Sequence, residues 1–136
     1  VDRSRFSHDV TVEASHIDEL GHVNNVVYLQ FMEGVARAHA SSVGMGLEVL
    51  STLRCVPVAR QSTIKYLKPT FLGDVLTIET RIFKVQGARA WRAYELRRGD
   101  ELVASGETEW VWLDPVRQRP RAAAPEVLAA FGVPAS

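Results

Sequence analysis

Asp18-Glu19-Leu20-Gly21-His22-Val23-Asn24-Asn25-Val26-Val27-Tyr28 changes character halfway along. Its first half, with the preceding Ser15 to Ile17, is polar, holds Gly21 and has no periodicity, which is turn chemistry. From Asn24 the pattern becomes helical. Val27, Tyr28, Phe31, Met32, Val35 and His39 recur at three- and four-residue spacing. Gln30, Glu33 and Arg37 fall on the other face, with Glu33 and Arg37 in the favourable i, i+4 order. Asn24 or Asn25 caps the start, because an Asn side chain satisfies a free N–H of the first turn. Gly44 and Gly46 are stop signals. The spacing predicts a helix from Asn24 to Val43, a rod of about 30 Å.

On either side of this rod the pattern is strand-like. Before it, Val10, Val12 and Ala14 alternate with Thr11 and Glu13, predicting a short strand over Asp9 to Ala14. After it come Val56 to Leu67, Val75 to Val85, Ala88 to Arg97 and Glu101 to Leu113. Pro69 and Gly73-Asp74 separate the first two, and Gln86-Gly87 and Gly99-Asp100 mark hairpin turns. Short connections between long strands imply antiparallel pairing. One helix followed by an antiparallel meander is an α+β arrangement, with a sheet of about five strands wrapped around a central helix. Such a sheet leaves exposed edges, which favours a dimer that continues it. The expected core runs from about 9 to 114 within a single domain, 1–136. The tail, 115–136, is Ala/Pro-rich and predicts a last short helix over Ala124 to Phe131.

Composition narrows the function. The 46% of hydrophobic residues is enough for a true core. Sixteen basic and sixteen acidic residues cancel, so there is no electrostatic footprint for nucleic acid or an anionic membrane. No apolar run approaches the roughly 20 residues of a membrane helix, and the polar start is no signal peptide. Cys55 is the single cysteine, which excludes an intrachain disulfide and fits a cytoplasmic setting. No His, Cys and carboxylate cluster has metal-ligand spacing, and there is no Gly-rich phosphate loop, so no metal and no cofactor are expected.

The chemistry concentrates where loop meets helix. Asp18 offers a carboxylate. Gly21 lets the backbone approach a ligand closely. The helix start offers unpaired N–H groups and a positive dipole end, which is what an oxyanion needs. A carboxylate beside an oxyanion site is a minimal kit for acyl transfer to water.

The string Asp18-x-x-Gly21-His22-Val23-Asn24-Asn25-x-x-Tyr28, with Glu33 and Arg37 beyond it, resembles the hotdog-fold thioesterase superfamily. It is most similar to the 4-hydroxybenzoyl-CoA thioesterase-like group and its acyl-carrier-protein thioesterase relatives. Lys65-Tyr66-Leu67-Lys68-Pro69-Thr70-Phe71-Leu72-Gly73-Asp74 resembles that family's link between second and third strands. The resemblance implies a hotdog fold that hydrolyses acyl-CoA or acyl-carrier-protein thioesters as a homodimer or homotetramer. It implies Asp18 as nucleophile or general base, and Asn25 as the backbone N–H that polarises the thioester carbonyl. His22 and Asn24 match side chains that support the carboxylate or position water. It also implies a CoA or phosphopantetheine arm at a subunit interface, where Arg60, Lys65, Lys68 or Arg89 could meet phosphates; Lys65 and Lys68 are expected to bind substrate, with Gly21 and Tyr28. His16-Ile17 departs from the small polar or acidic residue that often precedes the family's Asp.

Plainer roles stand beside these. Asp18 suits a turn in any protein, and Asn24 and Asn25 serve as caps without chemistry. His22 could be a hydrogen-bonded structural histidine. Tyr28 and Phe31 suit a core or an acyl-pocket wall. Glu33 reads as half of a helix pair, His39 as packed, Cys55 as a small buried hydrophobe. The arginines between 89 and 98 read as solvated strand faces, with Glu107 and Glu109 as candidate partners. Two rival functions remain: an acyl-thioester hydratase or dehydratase, and a non-catalytic acyl-CoA-binding module.

Overall fold

A computed structural model describes residues 2–134; the first residue and the last two residues of the expected tail lie outside it. The long helix, α1, runs over Asn25–Ser42. Asn24 caps it, its side chain accepting the Val26 N–H at 3.0 Å. Val27, Tyr28, Phe31, Met32, Val35, Ala36 and His39 form the buried face, the stripe expected from their spacing.

Five long strands surround that stripe: β1 (Arg5–Thr11), β2 (Val56–Tyr66), β3 (Val75–Gln86), β4 (Arg89–Arg98) and β5 (Glu101–Asp114). A two-residue β6, Arg119–Pro120, adds to β5. The order is β1-β3-β4-β5-β2 and every pair is antiparallel. The architecture is thus α+β, a curled antiparallel sheet with one long helix. Two short helices, α2 (Leu47–Thr52) and α3 (Pro125–Phe131), accompany it. Among the described residues no helix is long and apolar enough to cross a membrane.

The meander holds only for β3, β4 and β5. The strands β2 and β3, adjacent in sequence, do not pair; β2 crosses to the far side of β5, and β1 takes the place beside β3. The 67–74 link spans that gap. Gly73, at φ 86, turns it back so that Gly73 and Val12 join by a 3.0 Å backbone bond. The first strand also begins earlier than its Asp9 expectation. Its half-buried positions are Phe6, His8 and Val10, and polar His8 hides the alternation.

Two apolar clusters make the core. One joins α1 to Leu76, Ile78, Tyr94, Leu96 and Val103 of the sheet. The other gathers Leu50 of α2, Cys55, Ile82, Trp112 and the α3 residues Val127, Leu128 and Phe131. The C-terminal tail therefore contributes core, although its expected boundary placed it outside. Gly106 lets α1 approach β5: a Cβ there would stand 2.9 Å from both Met32 Cε and the Thr63 carbonyl oxygen.

One irregularity positions the site. Between Ala59 and Gln61 the β2–β5 register shifts by one residue, leaving Arg60 without an opposite number. Its guanidinium instead donates to Glu109 at 2.8 Å.

Candidate active site

The loop before α1 is tied at several points. Ile17 and Val23 form an isolated antiparallel bridge, and the Asp18 N–H donates to the His22 carbonyl at 3.0 Å. Inside this closure the Gly21 N–H returns to the Asp18 carbonyl at 3.1 Å, with Gly21 at φ 83. A side chain at Gly21 would meet nothing within 4 Å, so the backbone conformation, not space, calls for glycine. The loop is then anchored outward: Val23 N–H to the Thr70 carbonyl and Asn24 N–H to the His16 carbonyl, both at 2.9 Å.

These ties set the candidate residues. Asp18 is half-buried, and its Oδ1 accepts the Leu20 N–H at 2.9 Å. The Asn24 carboxamide is occupied as the cap, and the Asn24 carbonyl accepts the Val27 N–H at 2.9 Å. The N–H of Asn25, first residue of α1, has no acceptor among the described residues. His22 is half-buried, its Nδ1 3.4 Å from the Val23 carbonyl oxygen. Tyr28 is buried, and its hydroxyl lies 2.7 Å from Thr70 Oγ1.

His22, Asn25, Tyr28, Tyr66 and Lys68 line a shallow cleft of about 180 Å³ at the α1 tip. The structure thus brings together four of the candidates with Tyr66. Asp18 and Gly21 sit in the adjoining turn and do not line the cleft. Asn24 stands between as the cap. Lys65 belongs elsewhere, in a polar groove with Glu79, Arg81 and Glu107. Lys68 carries a loose pairing with Glu101, 3.8 Å away.

Sequence reasoning assigns no role to Tyr66 or Thr70. The Tyr66 hydroxyl donates to the Asn25 carbonyl at 3.1 Å, and its ring meets Tyr28 edge-on at 5.4 Å. Both residues lie in the 65–74 string, so the signal is present in the motif without marking what each does. Arg98 holds that string in place, donating to Asp74 at 2.9 Å and to the Pro69 carbonyl at 3.2 Å. Burial pushes the Asp74 carboxyl up, but the Phe71 N–H and Arg98 outweigh it and leave it below its usual range.

Arg92 corrects the expectation of solvated arginines. It faces inward from β4 and is only 7% exposed. Its Nη1 donates to His39 Nδ1 at 2.8 Å and to Thr80 Oγ1 at 3.2 Å. An acceptor at His39 Nδ1 puts the ring proton on Nε2, which donates to the Arg3 carbonyl at 2.7 Å. The miss has a cause: one strand carries Arg89, Arg92, Arg97 and Arg98, pleat parity alone sets Arg92 apart from Arg89 and Arg97, and a register shift after Leu96 takes Arg98 out of that count. Glu109 pairs with Arg89, as the strand faces suggested, and also with Arg60, which they did not. Cys55 is buried, and that burial pushes its thiol up.

Comparison with known proteins places this geometry. The family model described as the thioesterase-like superfamily matches residues 12–131. The acyl-CoA thioester hydrolase YbgC of Escherichia coli O6:H1 is 26% identical over 127 residues, 93% of this chain and 95% of that protein. Among solved structures, Slr0204, a 1,4-dihydroxy-2-naphthoyl-CoA thioesterase from Synechocystis, superposes with a TM-score of 0.86 at 18% identity, covering 94% of this chain and 96% of its own. Staphylococcus aureus SAV2348, solved in complex with CoA, gives 0.87 at 22% identity over 94% and 82%.

Proposed function

Because this chain belongs to the thioesterase-like superfamily, we propose that it hydrolyses acyl thioesters at the tip of α1. The observation that carries the reading is the N–H of Asn25, without an acceptor among the described residues, at the start of an 18-residue helix whose first residue lines a cleft. The next N–H groups are capped by Asn24, so Asn25 is the donor left for a ligand. A thioester carbonyl oxygen bound there gains charge as the carbon becomes tetrahedral, and the helix dipole favours that charge.

Asp18 supplies the carboxylate. Oδ1 is held by the Leu20 N–H, while Oδ2 has no partner among the described residues. As general base, it takes a proton from water while the water oxygen bonds to the carbonyl carbon, and the thiolate leaves. As nucleophile, its own oxygen bonds to that carbon and expels the thiolate; water then cleaves the mixed anhydride. His22 and Tyr66 wall the reacting group. Tyr66 and the cap Asn24 hold the helix start in place.

The substrate class is acyl-CoA or acyl-carrier-protein thioester. The name of the E. coli relative and the CoA in the S. aureus structure support the CoA form. Lys68 brings a positive charge to the cleft rim for a phosphorylated arm. A second copy would join along β2, an 11-residue edge strand that among the described residues pairs with β5 alone and exposes Val58. A homodimer, or a homotetramer built from it, continues the sheet. The buried single Cys55 suits a cytoplasmic setting.

Thiol release from a panel of short, long and aromatic acyl-CoAs tests the reading. Asp18→Asn keeps an oxygen for the Leu20 N–H and removes the charge, so activity should fall about 10²–10⁴-fold with an unchanged melting temperature. Wild-type activity in that variant would remove Asp18 from the chemistry. A single turnover in H₂¹⁸O tests the nucleophile route: label in the Asp18 carboxyl shows that water opened a mixed anhydride at Asp18 Cγ, an outcome the general base cannot give.

A further inference from the structure

A second cavity, of about 480 Å³, lies between the C-terminal half of α1 and the inner faces of β2, β4 and β5. It falls within the roughly 300–1,000 Å³ of small-molecule sites. Glu33 is the lining residue of α1 nearest the helix start, eight residues beyond Asn25 (33 − 25 = 8). At about 1.5 Å per residue this puts the cavity roughly 12 Å from the helix tip. It is a separate site, beyond hydrogen-bond reach of Asn25.

Its walls are mostly apolar, among them Leu50, Ile82, Trp110 and Trp112; Glu33 and Arg37 also line it, as an exposed pair 4.0 Å apart, and its floor holds a buried cation. Arg92 lines the cavity, and no carboxylate lies within 4.0 Å of it among the described residues. Its hydrogen-bond partners, His39 and Thr80, are neutral acceptors that engage Nη1 alone. Nε and Nη2 have no acceptor among the described residues. The Phe131 ring sits 5.8 Å from its Cζ, which orients the fork without neutralising it. A buried charge left unpaired is costly, and buried charges in proteins are normally paired. Burial pulls the guanidinium down to about 10, so it remains charged at neutral pH.

We propose that this cavity binds an aliphatic carboxylic acid as its anion, with the chain against the tryptophan-lined walls and the carboxylate on the free edge of Arg92. A carboxylate carries the single charge that one guanidinium matches, in the bidentate geometry its fork favours. A phosphate would bring a second charge into an apolar chamber with one buried cation to meet it. Chain length then adds affinity through apolar burial, at about 0.8 kcal/mol per buried CH₂.

Dodecanoate titrated into the full chain tests this, read by calorimetry and by the fluorescence of Trp110 and Trp112. Dodecan-1-ol, the same chain without charge, is the control. The acid should bind saturably at one site per chain and at least about tenfold more tightly than the alcohol. Arg92→Met should bring the acid down to the alcohol, and Arg92→Lys should fall between. Should Arg92→Met fail to fold, Ala59→Trp, which fills the cavity from β2 and leaves Arg92 intact, should abolish binding. Equal affinity for acid and alcohol, no saturable binding, or wild-type affinity in Ala59→Trp would each overturn the proposal. No thioester need be cleaved for any of these readouts, so their failure and that of the hydrolysis assay are distinct results.

Discussion

The Tyr66 hydroxyl donates to the Asn25 carbonyl across 3.1 Å, joining the last residue of β2 to the first residue of α1. Two elements far apart in sequence thus meet at the helix start, beside the cleft that both residues line. Tyr66→Phe keeps the ring against Tyr28 and removes only this bond. The site is exposed, so stability should fall by no more than about 1 kcal/mol. A loosened Asn25 should lower kcat/KM about three- to tenfold. Thiol-release kinetics beside a urea melt check both; an activity equal to wild type would make the bond ornamental to the reaction.

Gly106→Ala should destabilise the fold by about 1–3 kcal/mol. Its new methyl would meet Met32 Cε and the Thr63 carbonyl oxygen, each at 2.9 Å. The Met32 end is flexible and can withdraw, but the carbonyl belongs to β2 and cannot without moving the strand. Met32→Leu in the same chain should therefore rescue only part of the loss, as read from paired thermal melts.

Stability should also depend on pH through His39. Burial above all, helped by the Arg92 charge, holds its imidazole below the ordinary 6.5, against the opposing pull of the Arg3 carbonyl and Asp2. The unfolded chain therefore takes up a proton where folded His39 stays neutral. That contribution is complete above about pH 6.5 and is lost as the pH falls towards the lowered folded value. Urea unfolding at pH 7.5 and 5.5 should show the wild type weaker at the lower pH. His39→Gln should show a smaller drop; an identical drop would exclude the histidine as its source.

Local pattern carries much of this architecture. The α1 stripe is readable because Val27, Phe31, Val35 and their neighbours face one core, and each end is marked by Asn24 or Gly44. The hairpin turns at Gly87 and Gly99 are readable because both adopt positive φ. Long-range choices are not legible. Nothing local in Val56–Tyr66 says that its partner is β5 rather than β3. At the site, the motif names the α1 tip, yet strict alternation counted from Pro57 and Ala59 points Lys65 inward and Tyr66 outward. The shift at Arg60 reverses that, and a bulge has no sequence signature here. Arg92 escapes for a similar reason: a buried arginine reads like its exposed neighbours until the sheet assigns its face.

Arg60 is a spare link in its strand. Since no residue of β5 stands across from it, excising it would shorten the chain without turning over the residues downstream, and the phenol would still reach the helix. Excising Thr63 instead would flip the remainder of the strand. Leu67 would then arrive where the tyrosine now stands, with Lys65 turned inward in place of Ile64, so one-residue deletions in this strand have opposite consequences three positions apart.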